Sequence, residues 1–505
     1  MKGLLSTAAS RAWLGVVVLG VVVVAAVFGL QLISRLTDGQ KVLDAAKPVV
    51  AEGAVRGEAG GAKLLSQYVE LADPLVTKGG AAREVPKLIA LIARRSDVSE
   101  ERARDYLRDE APRTAALLRS LPFSGVDRER NDLTVFLATT LNTTAENLQD
   151  VLARDFPNIF QLLAELPSVT GGWRNVPGVE NLTRFDGEPV KTLPEYRDYV
   201  REDLVGTLAS ESGEVRSLAG SGGIGYIPYL LLAVGIVLIG FGLLHARWSR
   251  HHPSGRFAWA AVVAIGVVLL VAVGALSYFQ RLSGAETALE RLEPAFEQQR
   301  VTGTRAGLDL VEQTVSFGDP IVTARGGAAG EVPRLAAYVA ERTGSTRDQV
   351  RERLRGAAPK TSALLEAIPL SGVSSEVSRL LTSLARRFGV SRREVLRTLR
   401  RETPGIAQAL VALKPVTAGW NAIPGTDGLE RISDGAPVRT LPAFSNYLET
   451  DVVPVLESER AHFEQLADRW PPISTLAAIV VAIGALLAIY ATAMMFLATS
   501  PPKRY

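Results

Sequence analysis

The chain predicts a mainly α-helical membrane protein: four transmembrane helices with two duplicated, helical extracytoplasmic domains, each built from two ~45-residue helical units plus a Gly/Pro-rich loop. Three observations carry that fold class. Four blocks of the sequence are apolar enough to cross a bilayer, the stretch 13–244 is written again as 259–496, and a shorter helical period recurs inside each copy. Arg35, Leu36, Leu43, Pro48, Leu64, Asp73 and Pro74 return 246 residues later as Arg281, Leu282, Leu289, Pro294, Leu310, Asp319 and Pro320. After a one-residue insertion the spacing is 247, which pairs Pro86 with Pro333, Pro112 with Pro359, Pro157 with Pro404 and Trp173 with Trp420.

The order of elements follows from hydropathy. Spans are expected at 12–33, 223–244, 257–279 and 473–498, each without Asp, Glu, Lys, Arg or His. A hydrocarbon core of about 30 Å needs a helix of about 20 apolar residues, and every block meets that length. The first block exceeds the apolar region of a secretion signal and is matched by the third, so it reads as a retained helix. Between the spans lie a short N-terminus (1–11), a first external domain (34–222), a loop (245–256), a second external domain (280–472) and a tail (499–505). The three short pieces hold Lys2, Arg11, Arg247, Arg250, Arg256, Lys503 and Arg504 and no acidic residue, which places them and both termini in the cytoplasm by the positive-inside rule. With the whole chain at +3, the remainder is net acidic. The basic pieces therefore suit anionic lipid headgroups and not nucleic acid. The preference for Arg over Lys with abundant Ala, Gly and Val points to a GC-rich bacterial genome, and hence to a plasma membrane and cell-envelope location.

Inside each external domain Ala93, Pro112 and Leu121-Pro122 return 45 residues later as Ala138, Pro157 and Leu166-Pro167, while Ala340 and Pro359 return as Ala385 and Pro404. A fixed period of this kind marks stacked supersecondary units. Val85, Leu88, Ile89 and Ile92 form one stripe of a helix. Ser99 and Ser391 stand where a following helix needs an N-cap, with Glu394 positioned to complete a capping box. Pro112, Pro157, Pro359 and Pro404 suit the first turn of a helix, where a missing amide hydrogen matters least. Each unit thus reads as three helices. The Gly/Pro-rich loops carry Asp186-Gly187 and Asp434-Gly435, hairpin signals. Residues 34–50 and 280–298 continue the spans outward until Pro48 and Pro294 kink or stop them.

Two repeated features are candidate contacts for a ligand or partner. Lys78, Gly79 and Gly80, matched by Arg325, Gly326 and Gly327, combine a glycine turn, a helix start and a positive charge, the ingredients of an anion site. Glu84 and Glu331 lie in the first helical turn, where they complement the dipole themselves and repel an anion. Trp173 with Pro177, and Trp420 with Pro424, set a large aromatic beside rigid turn residues, which suits either a groove for an acyl chain or the plug of a helical core. In the spans, Ala260 to Ala264, Ala478 to Ala482 and Gly484 to Ala488 are small residues four apart, which favours a packed four-helix cluster or a homodimer.

Catalytic chemistry finds little material. The chain has no cysteine, and three of its four histidines, His245, His251 and His252, lie in the short loop, leaving His462 alone outside. No catalytic, metal or cofactor residues are assigned. The layout of paired spans carrying two large helical external domains resembles the prominin-type membrane organisers; this likeness of topology carries no residues over. The expected function is a non-catalytic membrane protein whose tandem ectodomains bind envelope protein partners or organise a complex, with membrane lipids as neighbours. A lipid-binding or lipid-transport accessory is the alternative, and a hydrolase working through carboxylates alone is a second one.

Overall fold

The computed structural model describes residues 2–77, 80–219, 224–248, 256–275, 278–323, 327–467 and 472–499. Among these the chain is mainly helical, and extended backbone pairs only at two isolated bridges, Thr183 with Pro189 and Glu430 with Pro437. Two compact units result: Met1–Glu52, Thr207–Gln298 and Val455–Tyr505 form one, and Gly53–Gly206 with Gln299–Pro454 form the other.

In the first unit, three helices among the described residues are long and apolar enough to span a membrane: Arg11–Gly29, Ile227–Trp248 and Ser474–Leu497. The expectation of four is corrected here. The remaining block forms the helix Arg256–Ala275, in which the described apolar run is Phe257–Val271, shorter than in the other three. The helices pair closely where small residues permit it. Gly20 lies against the Gly235 carbonyl, and Gly266 and Gly484 each face the other's carbonyl. The Gly484 to Ala488 stripe is therefore used between two helices of one chain. Trp13 and Trp259 stack at 3.8 Å, and the Tyr490 hydroxyl donates to the Ala12 carbonyl at 2.6 Å. The first span does not run on as one rod: Gln31, at φ 49°, breaks it before Leu32–Ala46 begins. Pro48 follows the end of that helix, whereas Pro294 sits inside the last turn of Tyr278–Phe296.

The second unit departs from the expectation of two separate domains, because both segments share a single core. Each contributes a long helix (Glu52–Val76; Gln298–Val322), then three helices (Ala81–Ser96, Glu100–Glu110, Pro112–Ser120; Ala328–Thr343, Arg347–Ala357, Pro359–Ala367) and three more (Phe123–Thr140, Ala145–Asp155, Pro157–Gly172; Leu370–Phe388, Arg392–Glu402, Pro404–Gly419). Pro112–Ser120 packs against Pro359–Ala367, its counterpart at the 247-residue offset. The X-Pro bonds Leu121-Pro122 and Ile368-Pro369, also counterparts, are both cis.

Helix starts explain why the segments interlock. Pro112, Pro157, Pro359 and Pro404 all occupy the first turn as expected, but the residues before them make no side-chain cap. The next amides need an acceptor once buried. A carboxylate from the other segment supplies it in all four cases. Glu376 accepts from the amides of Arg113 and Thr114 at 2.9 and 3.0 Å, and Glu129 from those of Lys360 and Thr361 at 2.7 and 3.0 Å. Glu331 accepts from Asn158 and Ile159 at 3.3 and 2.9 Å, and Glu84 from Ile406 at 2.9 Å. An anion at a helix N-terminus also opposes the positive end of the helix dipole. Ser99 and Ser391 cap as expected, while the capping box assigned to Glu394 is corrected: its amide meets Ser391, but its side chain does not return the bond. Full boxes form instead at Thr346 with Gln349 and Thr192 with Glu195, where Gln and Glu stand three residues on.

Candidate functional site

The two loops singled out in the sequence dock onto the long helices, each on the helix of the opposite segment. Gly57, Gly60 and Gly61 on Glu52–Val76 lie against Leu429, the Pro424 carbonyl and Phe444. Gly303 and Gly307 on Gln298–Val322 lie against Leu182 and Tyr196. Side chains at these positions would collide with the loop, so the glycines let backbone and ring approach. The loops themselves are closed by main-chain bonds. Val176 donates to Lys191 and Leu193 to Trp173; Ile423 donates to Arg439 and Leu441 to Trp420. The hairpin signals turn through Gly187 (φ +90°) and Gly435 (φ +70°), with Asp186 and Asp434 accepting the amide two residues on.

Trp173 and Trp420 are fully buried. Their indoles donate to Asp73 at 2.8 Å and to Asp319 at 2.6 Å, the aspartates of the recurrent Asp-Pro pairs. Trp420 sets its edge on the Tyr68 ring, 5.1 Å between centroids, and the Tyr68 hydroxyl donates to the Thr314 carbonyl at 2.8 Å. Burial, with Glu165 and Asp319 nearby, pushes the Tyr68 phenol well above its ordinary range. Trp173 instead helps line a hollow with Tyr68, Phe123, Phe317 and Leu370, about 400 Å³ when the space open to its surroundings is counted. Pro177 and Pro424 are exposed on the loops.

Of the glycine turns, Lys78, Gly79, Arg325 and Gly326 lie outside the described residues. Gly80 and Gly327 precede their helices and pack against the carbonyls of Pro74 and Pro320. Ala81 and Ala328, the first helical residues, are fully buried. The acidic residues weighed against an anion there, Glu84 and Glu331, point their carboxylates at helix starts of the other segment.

Sequence reasoning passed over two acidic positions. Glu58 is buried, accepts a 2.7 Å bond from the Tyr447 hydroxyl, and is pushed up to about 7 by burial, against the opposing pull of that bond. At the matched site Thr304 meets the Tyr199 hydroxyl at 2.9 Å. Glu449 is held at about 7, first by its hydrogen bond with Glu312 and then by partial burial. The matched pair is Arg201 donating to Ser66. Both sites differ between the segments, so a search for recurrent residues hides them. Among the described residues no group of three His, Asp or Glu side chains is gathered closely enough to hold a metal ion.

In the first unit, Tyr226, Leu230, Leu269, Leu282, Leu476 and Val480 are among the residues lining an apolar crevice of about 580 Å³, again counting its open side. Comparison with known protein families, characterised proteins and solved structures finds no match for this chain.

Proposed function

We propose that this is a non-catalytic, multi-pass membrane protein whose two helical segments, descended from one duplicated ancestor, act together as a rigid scaffold for partners at the outer face of a bacterial plasma membrane. The observation that supports it is the set of four reciprocal carboxylate caps: Glu84, Glu129, Glu331 and Glu376 tie each segment to the other and are committed to backbone amides. Acids committed in this way, Glu331 and Glu376 buried and Glu84 and Glu129 half-buried, serve rigidity, and a rigid platform presents its outer helices in fixed register. The basic pieces around the spans support a cytoplasmic position for both termini. Because the chain contains no cysteine, single cysteines introduced in the helical unit and in the tail test that placement by labelling intact cells. Labelling of the tail but not the unit would reverse it.

The scaffold reading is tested by photo-crosslinking in living cells with both proteins and lipids identified. A protein crosslinked in stoichiometric yield is expected. A yield of lipid alone would favour lipid handling, the second reading, which the apolar crevice in the first unit supports: a concave site lined almost wholly by apolar side chains is the form expected for an acyl chain.

A further inference from the structure

The matched faces of the helical unit carry opposite charge. Arg379, Arg393 and Arg397 occupy the positions that Asp132, Glu146 and Asp150 hold 247 residues earlier. All six are exposed, and none makes an ion pair among the described residues. Their surroundings extend the contrast. Arg386, Arg392 and Arg400 are exposed where the first segment has Thr139, Ala145 and Ala153. The helix Arg392–Glu402 bears five arginines against two glutamates, while Ala145–Asp155 bears one arginine against three carboxylates. Each face consists of two helices joined by a short turn, Leu370–Phe388 with Arg392–Glu402 and Phe123–Thr140 with Ala145–Asp155. Like charges gathered on one exposed face repel, and unpaired surface charge of one sign is steered toward the other. Val135, 62% exposed between Asp132 and Thr139 on its helix, adds an apolar point to the acidic face.

We infer that the unit docks head to tail on a second copy of this chain, the arginine face of one against the carboxylate face of the next. Such a contact is heterologous, so each copy has one face left over and the contact passes along a row. This inference rests on the scaffold reading and names its partner. Charge complementarity decides the occupant: the same fold supplies both signs in like arrangement, and copies held in one membrane meet at high effective concentration. Exposed pairs are screened by salt, so the association is expected to weaken as ionic strength rises.

The test uses full-length chains in cell membranes. Gln149→Cys marks the acidic face and Thr382→Cys the basic face, both exposed positions, on copies with different tags. Oxidation should link the two variants to each other at least about fivefold more than either to itself, as charge steering requires. Arg393→Glu with Arg397→Glu on the Thr382→Cys copy should abolish that link. Adding Glu146→Arg with Asp150→Arg to the Gln149→Cys copy should restore it. Links that ignore charge, or that join like faces, would overturn the inference. So would loss of all links while the arginine face binds anionic vesicles or a soluble polyanion. If no copy-to-copy link forms but the photo-crosslinking above still captures a protein, the scaffold reading stands and this inference alone fails; if neither forms, both fail.

Discussion

At residue 58 the first segment has a buried glutamate, and at the matched residue 304 the second has a threonine; each meets a tyrosine hydroxyl from the other segment, Tyr447 and Tyr199. Around them the two halves of the unit repeat each other's contacts: indole to aspartate, carboxylate to helix start, loop to glycine face. The contrast separates positions whose carboxylates meet the other segment's helix starts, which recur, from cross-segment positions that differ. Buried groups that satisfy another segment's backbone cannot change alone without leaving an orphaned donor, whereas an exposed Arg379 can replace an Asp132 at little cost to the fold.

The largest expected effect tests the recurrent class. Trp420→Ala removes a fully buried ring that packs on Tyr68 and leaves the Asp319 carboxylate without its indole donor, so a loss of about 3–5 kcal/mol is expected. Trp173 already borders a hollow, and Trp173→Ala should cost less. Thermal melting of both variants, followed by far-UV circular dichroism in one detergent, makes the comparison. Equal losses would show that the hollow does not distinguish the two sites.

The next effect comes from the positions that differ. The Glu58 carboxyl sits at about 7 when folded, against an ordinary value of 4.5. Between those pH values the folded chain keeps a proton that the unfolded chain has given up, so stability is highest below the window and falls as pH rises through it, by about 3 kcal/mol in total. Glu58→Gln should flatten that slope, and no substitution at Thr304 should alter it. Melting temperatures recorded from pH 4 to 8 would decide, and an unchanged slope in the variant would remove Glu58 as its source.

Third in size are the caps. Glu331 takes bonds from two amides and the Asn158 side chain, and Glu331→Ala is expected to cost about 1.5–3 kcal/mol because buried donors lose a charged acceptor. Glu84 takes one amide, so Glu84→Ala should cost about 1 kcal/mol. Urea titration followed by proteolytic sensitivity of the unit would rank them; a reversed ranking would mean that the matched caps are not doing matched jobs.

How legible this was in the sequence depended on range. Pro112 and Pro404 announced helix starts because the signal is local, and Ser99 announced its cap for the same reason. The partner of each start was out of reach: Glu84 meets Ile406, 322 residues away, and no periodicity encodes that contact. A clue was present at three of the four starts, since Ala111, Phe156 and Ala358 precede Pro112, Pro157 and Pro359 and make poor caps, which leaves amides in need of an outside acceptor; Thr403, before Pro404, gave no such sign. The separation into two domains failed on the same ground, because intervals of 45 and 247 residues describe likeness and not adjacency. The span count differs at 257–279, where the described residues carry a shorter apolar run than residue type suggested.

The smallest effect sharpens the contrast at the surface. Glu449 faces Glu312 where the other segment sets Arg201 against Ser66, and the acid pair shares its charge unfavourably near neutral pH. Glu449→Arg would turn repulsion into an ion pair, expected to add no more than about 1 kcal/mol because both partners are partly solvated. The gain should appear at pH 8 and shrink in 0.5 M salt, both readable from melting temperatures. A gain that persisted undiminished in 0.5 M salt would have to come from packing of the longer side chain, and the difference between the segments at this site would then be one of shape and not of charge.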